Sequence, residues 1–181
     1  MTVDPTPLIV SAAGRSLGAS ARQWAGLGLI SFAAIVGDQV TKHLVTSRLG
    51  LYDSVTVVGP LHITHVQNSG IAFGFFPSAT SLVTALTVIA LGWMVWFFAR
   101  SGARHPVLPT AFGLLIGGSL SNLFDRVWLA HVTDFLDLGW WPAFNLADSF
   151  IVLGVATLVV TLALPHRPHA PDGVPLDLSA R

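Results

Sequence analysis

Aspartate is the only acidic residue type in this chain, and most of the aspartates fall where apolar segments end. The chain has 181 residues and nine acidic residues, none of which is glutamate. Three aspartates lie near the termini, and the six others are Asp38, Asp53, Asp125, Asp134, Asp137 and Asp148. Because a charge inside a membrane costs free energy, carboxylates gathered at one level of an apolar chain indicate a task at that level or mark the membrane boundary. The boundary role is the expectation for Asp53 and Asp137, and a task is the expectation for Asp148.

Two neighbouring carboxylates can hydrolyse a peptide bond. Like charges a few ångströms apart resist double ionisation, so the pair shares one proton. The ionised carboxylate takes a proton from water, and the protonated one donates a hydrogen bond to the scissile carbonyl. From residue types and positions alone, Asp125, Asp134, Asp137 and Asp148 all remain candidates for this pair.

Other hydrolytic chemistries lack a necessary group. The chain has no cysteine, which excludes thiolate metal sites and cysteine nucleophiles, and without glutamate it cannot form the HExxH metalloprotease motif. The single lysine, Lys42, lies four residues after Asp38, so we expect a helix-end ion pair that serves as scaffolding. His62 and His65 lie three residues apart in a predicted strand and point to opposite faces. We therefore expect neither a metal site nor a cofactor.

Four apolar segments are long enough to cross a bilayer, which takes about 20 residues. Hydrophobic residues make up 52% of the chain and charged residues 10%, against about 25% charged in soluble domains. The four segments span residues 24–45, 78–99, 107–124 and 144–164. Alternating apolar and polar residues around Gly59-Pro60 predict two short strands within residues 54–66. We expect an all-α integral membrane protein with four transmembrane helices and a small extracytoplasmic β-sheet between helices 1 and 2.

The basic residues predict the orientation of these segments. With the N-terminus inside, the inner segments hold six arginines, whereas the outer ones hold Lys42, Arg48 and Arg126. Both termini are then cytoplasmic. Residues 1–22 and 166–181 are predicted to be disordered cytoplasmic tails, and residues 23–165 a single membrane domain. The net charge of zero gives no reason to expect nucleic-acid binding.

A short repeated pattern places amides beside the carboxylates. Asn122 and Asp125 close the third segment, and Asn145 and Asp148 open the fourth. In each copy the two residues lie three apart, which predicts one shared helical face. Arg126 is the expected partner that keeps Asp125 ionised. Interhelical hydrogen bonding for packing is the alternative role of the asparagines.

Two other classes of function compete with a peptidase. A small proton-coupled carrier would use Asp148 and the Asp38–Lys42 pair as its relay. Carriers, however, bind near the middle of the membrane and often show inverted repeats, whereas these acids lie near one face. A membrane scaffold for a partner helix would have no need of two uncompensated aspartates.

Five stretches, in order, carry a resemblance to a known family. They are Asp38-Gln-Val-Thr-Lys42, Asn68-Ser-Gly-Ile-Ala-Phe-Gly74, Gly117-Gly-Ser-Leu-Ser-Asn-Leu-Phe-Asp-Arg126, Val132-Thr-Asp-Phe135 and Phe144-Asn-Leu-Ala-Asp-Ser149. Each stretch is weak by itself. Together, on a four-span hydropathy pattern, they make the chain resemble the lipoprotein signal peptidases, the signal peptidase II family, along nearly all of residues 24–164.

The resemblance implies an aspartic endopeptidase of the bacterial inner membrane, with its active site at the outer face. Such an enzyme removes the signal peptide from diacylglyceryl-modified prolipoproteins by cutting before the lipidated cysteine. Asp134 and Asp148 match the catalytic aspartates of the family's motifs. The positions implied to orient the pair, bind substrate or brace the site are Asn68, Asn122, Arg126, Asn145, Asp38 and Lys42. The implied partners are the prolipoprotein substrate and membrane lipids, and we expect a monomer.

Two positions depart from the family's usual pattern. Ser121 stands where glycine usually precedes the asparagine of the third stretch, and Ala130 where glycine usually lies four residues before the Val-x-Asp-Phe aspartate. Each adds a side chain where backbones can approach closely, so local packing and substrate preference are the properties placed in doubt.

Overall fold

A computed structural model of the chain describes residues 18–70, 80–101 and 105–163. The described residues form four helices and three strands. In chain order these are α1 (Ala21–Arg48), β1 (Ser54–Val58), β2 (Leu61–Asn68), α2 (Thr80–Ser101), α3 (Leu108–Leu129), β3 (Val132–Asp137) and α4 (Leu146–Ala163). The four helices follow the four apolar segments predicted from the sequence, with bounds that differ by a few residues.

Helix α1 begins with a capping box. The Ser20 backbone N–H donates to the Gln23 side-chain oxygen at 2.8 Å, and Ser20 Oγ accepts from the Gln23 N–H at 3.4 Å. Two backbone donors of the first turn are thus satisfied at Ser20 and Gln23. The helix starts at Ala21, inside the segment assigned to the N-terminal tail, and the predicted tails at 1–17 and 166–181 lie outside the described residues.

Helix α3 is the centre of the bundle, because glycines let its neighbours approach closely. A Cβ atom built on Gly117 would lie 2.7 Å from the Ser31 carbonyl oxygen of α1. One built on Gly118 would lie 2.5 Å from the Ala147 carbonyl oxygen of α4. Small residues at helix contacts are typical of membrane bundles, where close backbone packing replaces hydrophobic burial as the source of association.

The outside of the bundle is apolar and one end of its inside is polar. Large apolar side chains stay exposed on every helix, including Phe32, Ile89, Trp128 and Val152. Within the described residues, α1 and α2 are each long and apolar enough to cross a membrane, and α4 has a shorter apolar stretch, Leu146–Thr161. The rest of the inside is an apolar core that includes Phe98, Phe112 and Ile116. An outer surface this apolar fits a lipid solvent.

The sheet is larger than predicted. Strands β1 and β2 form the expected antiparallel hairpin, but a third strand, β3, pairs with β2, giving the order β1-β2-β3. Placing the whole sheet between helices 1 and 2 was therefore wrong, since β3 comes from the connection between α3 and α4. Four consecutive residues of β3 are buried, so it lacks the alternation that identifies a strand with one exposed face. Pairing sets Val66 opposite Asp134.

Replacing Gly118 with alanine should force α3 and α4 apart at the level of Ala147. The new methyl group meets backbone, which cannot rotate away, so we expect a loss of about 1–3 kcal/mol in the free energy of unfolding. Thermal unfolding in detergent micelles measures the change. Gly92→Ala in α2 is the matched control, because its Cβ meets nothing within 4 Å. Equal unfolding midpoints for the two variants would contradict this account of the α3–α4 contact.

Candidate active site

Asp134 lies on β3 and receives two amide hydrogen bonds. Asn68 of β2 donates from Nδ2 to Asp134 Oδ2 at 3.0 Å, and Asn145 donates from Nδ2 to Oδ1 at 2.7 Å. Asp134 is only 3% exposed. Its position depends on the sheet, because strand pairing brings Asn68 alongside it.

Asp148 lies in the first turn of α4 and takes part in a reciprocal cap. Asn145 Oδ1 accepts from the Asp148 N–H at 2.9 Å, and Asp148 Oδ2 accepts from the Asn145 N–H at 3.2 Å. This is the capping-box arrangement, with aspartate in the usual place of glutamate. The prediction that Asn145 and Asp148 share one face of a helix was wrong, since Asn145 precedes the helix. Asn122 of α3 donates to Asp148 Oδ1 at 2.8 Å.

Two asparagines connect the two aspartates. Asn145 Nδ2 donates to Asn122 Oδ1 at 3.1 Å, in addition to its bond to Asp134. A carboxylate accepts and does not donate, so each amide must turn its nitrogen toward its own aspartate. The chain Asp134–Asn145–Asn122–Asp148 is thus continuous, with every amide orientation determined by its partners.

Burial raises the pKa of the Asp134 carboxyl to about 6. The hydrogen bond from Asn68 acts in the opposite direction because it stabilises the ionised form, and the nearby Asp148 carboxylate raises the pKa again by repulsion. The bond from Asn145 and the Lys42 charge also lower it. Asp134 can therefore exchange a proton near neutral pH, as acid–base catalysis requires.

Behind the aspartates, Lys42 is the centre of a buried charge cluster. Its Nζ lies 2.6 Å from Asp38 Oδ2, 2.8 Å from Asp125 Oδ2 and 2.9 Å from Asn122 Oδ1. The three ammonium protons thus have three acceptors. The predicted Asp38–Lys42 pair is confirmed, but it is fully buried: Asp38 is 0% exposed and Lys42 4%.

Asp125 pairs with Lys42 and not with Arg126. Besides Lys42, its carboxylate accepts from Gln39 Nε2 at 2.8 Å. Among the described residues no carboxylate lies within ion-pair distance of Arg126, whose Nη1 donates to the Asn122 carbonyl at 3.3 Å. The predicted Arg126–Asp125 pair was wrong, because adjacent residues on a helix point in different directions. Gln39 was not singled out from the sequence, although it stands beside Asp38.

The two aspartates open into one cavity of about 600 Å³. One wall is the apolar face of α2, and the other carries the polar groups. The cavity is lined by Asn68, Gly70, Val83, Leu86, Thr87, Ala90, Arg126, Asp134, Trp141, Pro142, Ala143, Phe144 and Asp148. A second, more apolar groove of about 450 Å³ runs from Asp148 along the outer face of α4. Within the described chain no three His, Cys, Asp or Glu side chains come together as a metal site would require.

The two departures from the family pattern each have a structural explanation. Ala130 ends α3 with φ of 62°, a left-handed conformation that favours glycine. The cost of alanine in place of glycine at position 130 is therefore backbone strain and not the crowding expected from the sequence. Ser121 is 0% exposed, and its hydroxyl donates to Asp38 Oδ2 at 2.7 Å. This serine adds a hydrogen bond to the buried charge cluster.

Comparison with known proteins places the whole site within a shared region. Residues 30–164 match the family described as signal peptidase (SPase) II. The lipoprotein signal peptidase of Halothermothrix orenii is 37% identical over 136 residues, covering 74% of this chain and 92% of that protein. That of Geobacter sulfurreducens is 38% identical over 150 residues, covering 78% and 94%.

Two solved structures described as bacterial membrane enzymes are also similar. They superpose with TM-scores of 0.72 and 0.70 at 32% and 30% sequence identity. The superpositions cover 76% and 77% of this chain, and 87% and 93% of those structures. The similarity thus extends over most of this chain and most of each solved structure.

Replacing Lys42 with methionine should destabilise the protein strongly. Asp38 and Asp125 would remain buried without a cation, and removing one partner of a buried ion pair costs about 3–5 kcal/mol. Thermal and denaturant unfolding in detergent measures the loss. Arg48→Met, at the exposed end of the same helix, removes a cation from water and should change stability little. Equal losses for the two variants would refute the central role of Lys42.

Proposed function

The chain belongs to the signal peptidase II family, and from that membership we propose an aspartic endopeptidase that removes the signal peptide from diacylglyceryl-modified prolipoproteins. Asp134 and Asp148 are its catalytic pair. The observation that carries the assignment is that, of the aspartates the structure describes, only these two line the cavity, whereas Asp38 and Asp125 are bound to Lys42. A carboxylate held by a lysine is not available to activate water.

The reaction follows from two carboxyl groups that share one proton. The ionised member takes a proton from water as the water oxygen attacks the scissile carbonyl carbon. The protonated member gives its proton to the carbonyl oxygen, forming a tetrahedral intermediate. Collapse of the intermediate breaks the C–N bond. The leaving nitrogen receives the proton that the first carboxyl took from water, and the second carboxyl recovers its proton from a hydroxyl of the intermediate. Asp134 and Asp148 titrate as a coupled pair, so the shared proton belongs to both.

Side-chain amides hold the two carboxylates of the pair in position. Asn68 and Asn145 donate to Asp134, and Asn122 donates to Asp148, so these bonds hold the carboxylates in place without taking their protons. The Arg126 guanidinium lines the same cavity and supplies positive charge where the intermediate carries negative charge.

The shape of the cavity fits a substrate that arrives from the lipid. Val83, Leu86 and Ala90 of α2 form an apolar wall, and the polar groups face it from α3, β3 and α4. A peptide bond next to a diacylglyceryl-modified cysteine needs both surfaces, because its acyl chains are apolar and its backbone is polar. Membrane lipids and the prolipoprotein are therefore the proposed partners of a monomeric enzyme.

We propose four membrane spans, with both termini in the cytoplasm of a bacterium and the aspartates at the outer face. Trp128, Trp140 and Trp141 are exposed close in sequence to β3, as expected of aromatic residues at a membrane interface. The sheet then lies outside the hydrocarbon. Because the chain has no cysteine, single cysteines placed at Ala21 and Val57 would report this topology by labelling with a membrane-impermeant maleimide in intact cells.

The carrier alternative receives no support. The two named relatives are lipoprotein signal peptidases. In the Asp38–Lys42 pair, both oxygens of Asp38 also accept hydrogen bonds, from the Ser121 hydroxyl and the Ala147 N–H. A relay needs a pair that can release its proton, whereas Lys42 here has all three protons occupied.

Replacing either Asp134 or Asp148 with asparagine should abolish cleavage while the protein still folds. The substitution keeps the shape of the side chain and removes the group that exchanges the proton, so we expect a loss of at least about 10³-fold in kcat. The measurement is the mass shift of a diacylglyceryl-prolipoprotein incubated with purified enzyme in lipid. Asp53→Asn, an exposed turn position, should retain activity. Cleavage lost in Asp125→Asn but retained in both pair variants would show that another pair is catalytic.

Replacing Asn68 with alanine should move the pH profile of cleavage upward. The Asn68 amide stabilises ionised Asp134, so its removal raises the pKa of that carboxyl above its present value of about 6. The shared proton is then lost at higher pH, and the basic limb of kcat/KM shifts upward by about half a unit to one unit. Gln67→Ala, an exposed neighbour on β2, should leave the limb in place. A limb that moves downward in Asn68→Ala would contradict the assignment.

A further inference from the structure

The hydroxyl of Ser121 occupies a fixed place between two side chains of α1. It donates to Asp38 Oδ2 at 2.7 Å and accepts from Gln39 Nε2 at 2.9 Å. The Gln39 nitrogen also donates to Asp125 Oδ1 at 2.8 Å, so its amide cannot turn over without placing two oxygens together. Because Gln39 is the donor to Ser121, the one hydroxyl proton of Ser121 must point to Asp38.

Asp38 in turn holds the beginning of α4. Its second oxygen, Oδ1, accepts from the Ala147 N–H at 2.9 Å. Ala147 is the second residue of α4, where backbone N–H groups have no partner within the helix. A carboxylate from α1 therefore satisfies the first turn of α4, and its charge is favourable at a helix N-terminus.

The same turn of α4 carries the catalytic geometry. Ala147 stands next to Asp148, and two residues after Asn145, the amide that reaches Asp134. A shift of the Ala147 backbone therefore moves both groups. Since Ser121 binds one oxygen of Asp38 and Ala147 the other, a rotation of the Asp38 carboxylate disturbs both bonds together.

We propose that Ser121 is a positioning residue for the reaction, acting through Asp38 on the first turn of α4. The proposal rests on the catalytic pair assigned above. Lys42 and Ser121 both bind Oδ2 of Asp38, and Ala147 binds Oδ1. The Ser121 hydroxyl is therefore the second of two donors that fix the oxygen opposite the Ala147 bond. The hydroxyl contacts neither substrate nor the reacting atoms, so its effect is on how well Asp148 is aligned.

The chain contains a matched control for this role. Ser31 is also a buried serine between α1 and α3, and its hydroxyl donates to the Gly113 carbonyl at 3.0 Å. It lies seven residues before Asp38 on α1, about two helical turns from the cluster. Removing the Ser31 hydroxyl deletes one hydrogen bond between α1 and α3, and removing that of Ser121 deletes two between the same helices. Only the Ser121 hydroxyl reaches Asp38.

The test compares Ser121→Ala, Ser121→Gly and Ser31→Ala in the full-length protein in lipid. Both Ser121 variants should lower kcat about tenfold with KM within about twofold, because alignment and not binding is impaired. Ser31→Ala should keep the wild-type kcat even where its unfolding midpoint falls. Wild-type kcat in a folded Ser121 variant, or an equal fall in Ser31→Ala, would overturn the proposal.

Hydrogen exchange provides a second readout that needs no substrate. The Ala147 amide should exchange faster in Ser121→Ala than in wild type, and at the wild-type rate in Ser31→Ala. Unchanged exchange at Ala147 in Ser121→Ala would overturn the positioning role. If wild type itself fails to cut a lipidated substrate, the proposed function fails, and the exchange comparison still decides whether Ser121 holds α4.

Discussion

A single buried ammonium group determines how three of the four helices meet. Lys42 on α1 binds Asp38 of its own helix and both Asp125 and Asn122 of α3, and Asp38 reaches the Ala147 N–H of α4. Taking three charges out of water costs several kcal/mol per ion, and the cost is offset only when every proton and lone pair has a well-placed partner. The relative positions of Lys42, Asp38 and Asp125 are therefore tightly constrained. Small displacements of a helix leave a buried charge unpaired.

The proposed catalytic pair, Asp134 and Asp148, is joined to the cluster through amides and not through further charges. Asn122 accepts from Lys42 on one side and donates to Asp148 on the other. The Asn122 side chain thus stands between the Lys42 ammonium and a carboxyl group that must change protonation in the proposed reaction. Had Lys42 contacted Asp148 directly, the carboxylate would stay ionised, and no proton could be shared with Asp134. The two asparagines hold Asp134 and Asp148 in place relative to the cluster, and they keep the Lys42 ammonium out of direct contact with either carboxylate.

A strand and a helix supply the two aspartates, which explains why a membrane bundle contains a sheet. Asp134 belongs to β3, whose neighbour β2 carries Asn68, and Phe144 pairs with Leu136 immediately before α4 begins. The sheet therefore fixes the start of α4 as well as Asp134. Close contact of α3 with α1 and α4, permitted by Gly117 and Gly118, places Asn122 within reach of both. The apolar outer surface of the bundle takes no part in this arrangement.

The sequence by itself determined the helices, the β1–β2 hairpin, the Asp38–Lys42 pair and the candidate carboxylates. These follow from local periodicity, from spacing along one helix and from residue type, all of which are properties of neighbours in the chain. Tertiary structure alone decided that Lys42 and not Arg126 neutralises Asp125, and that β3 completes the sheet. The physical reason is that the partner of a buried polar group is selected by distance in space. Residues such as Asp38 and Ala147, which are 109 positions apart, meet only once the helices have packed.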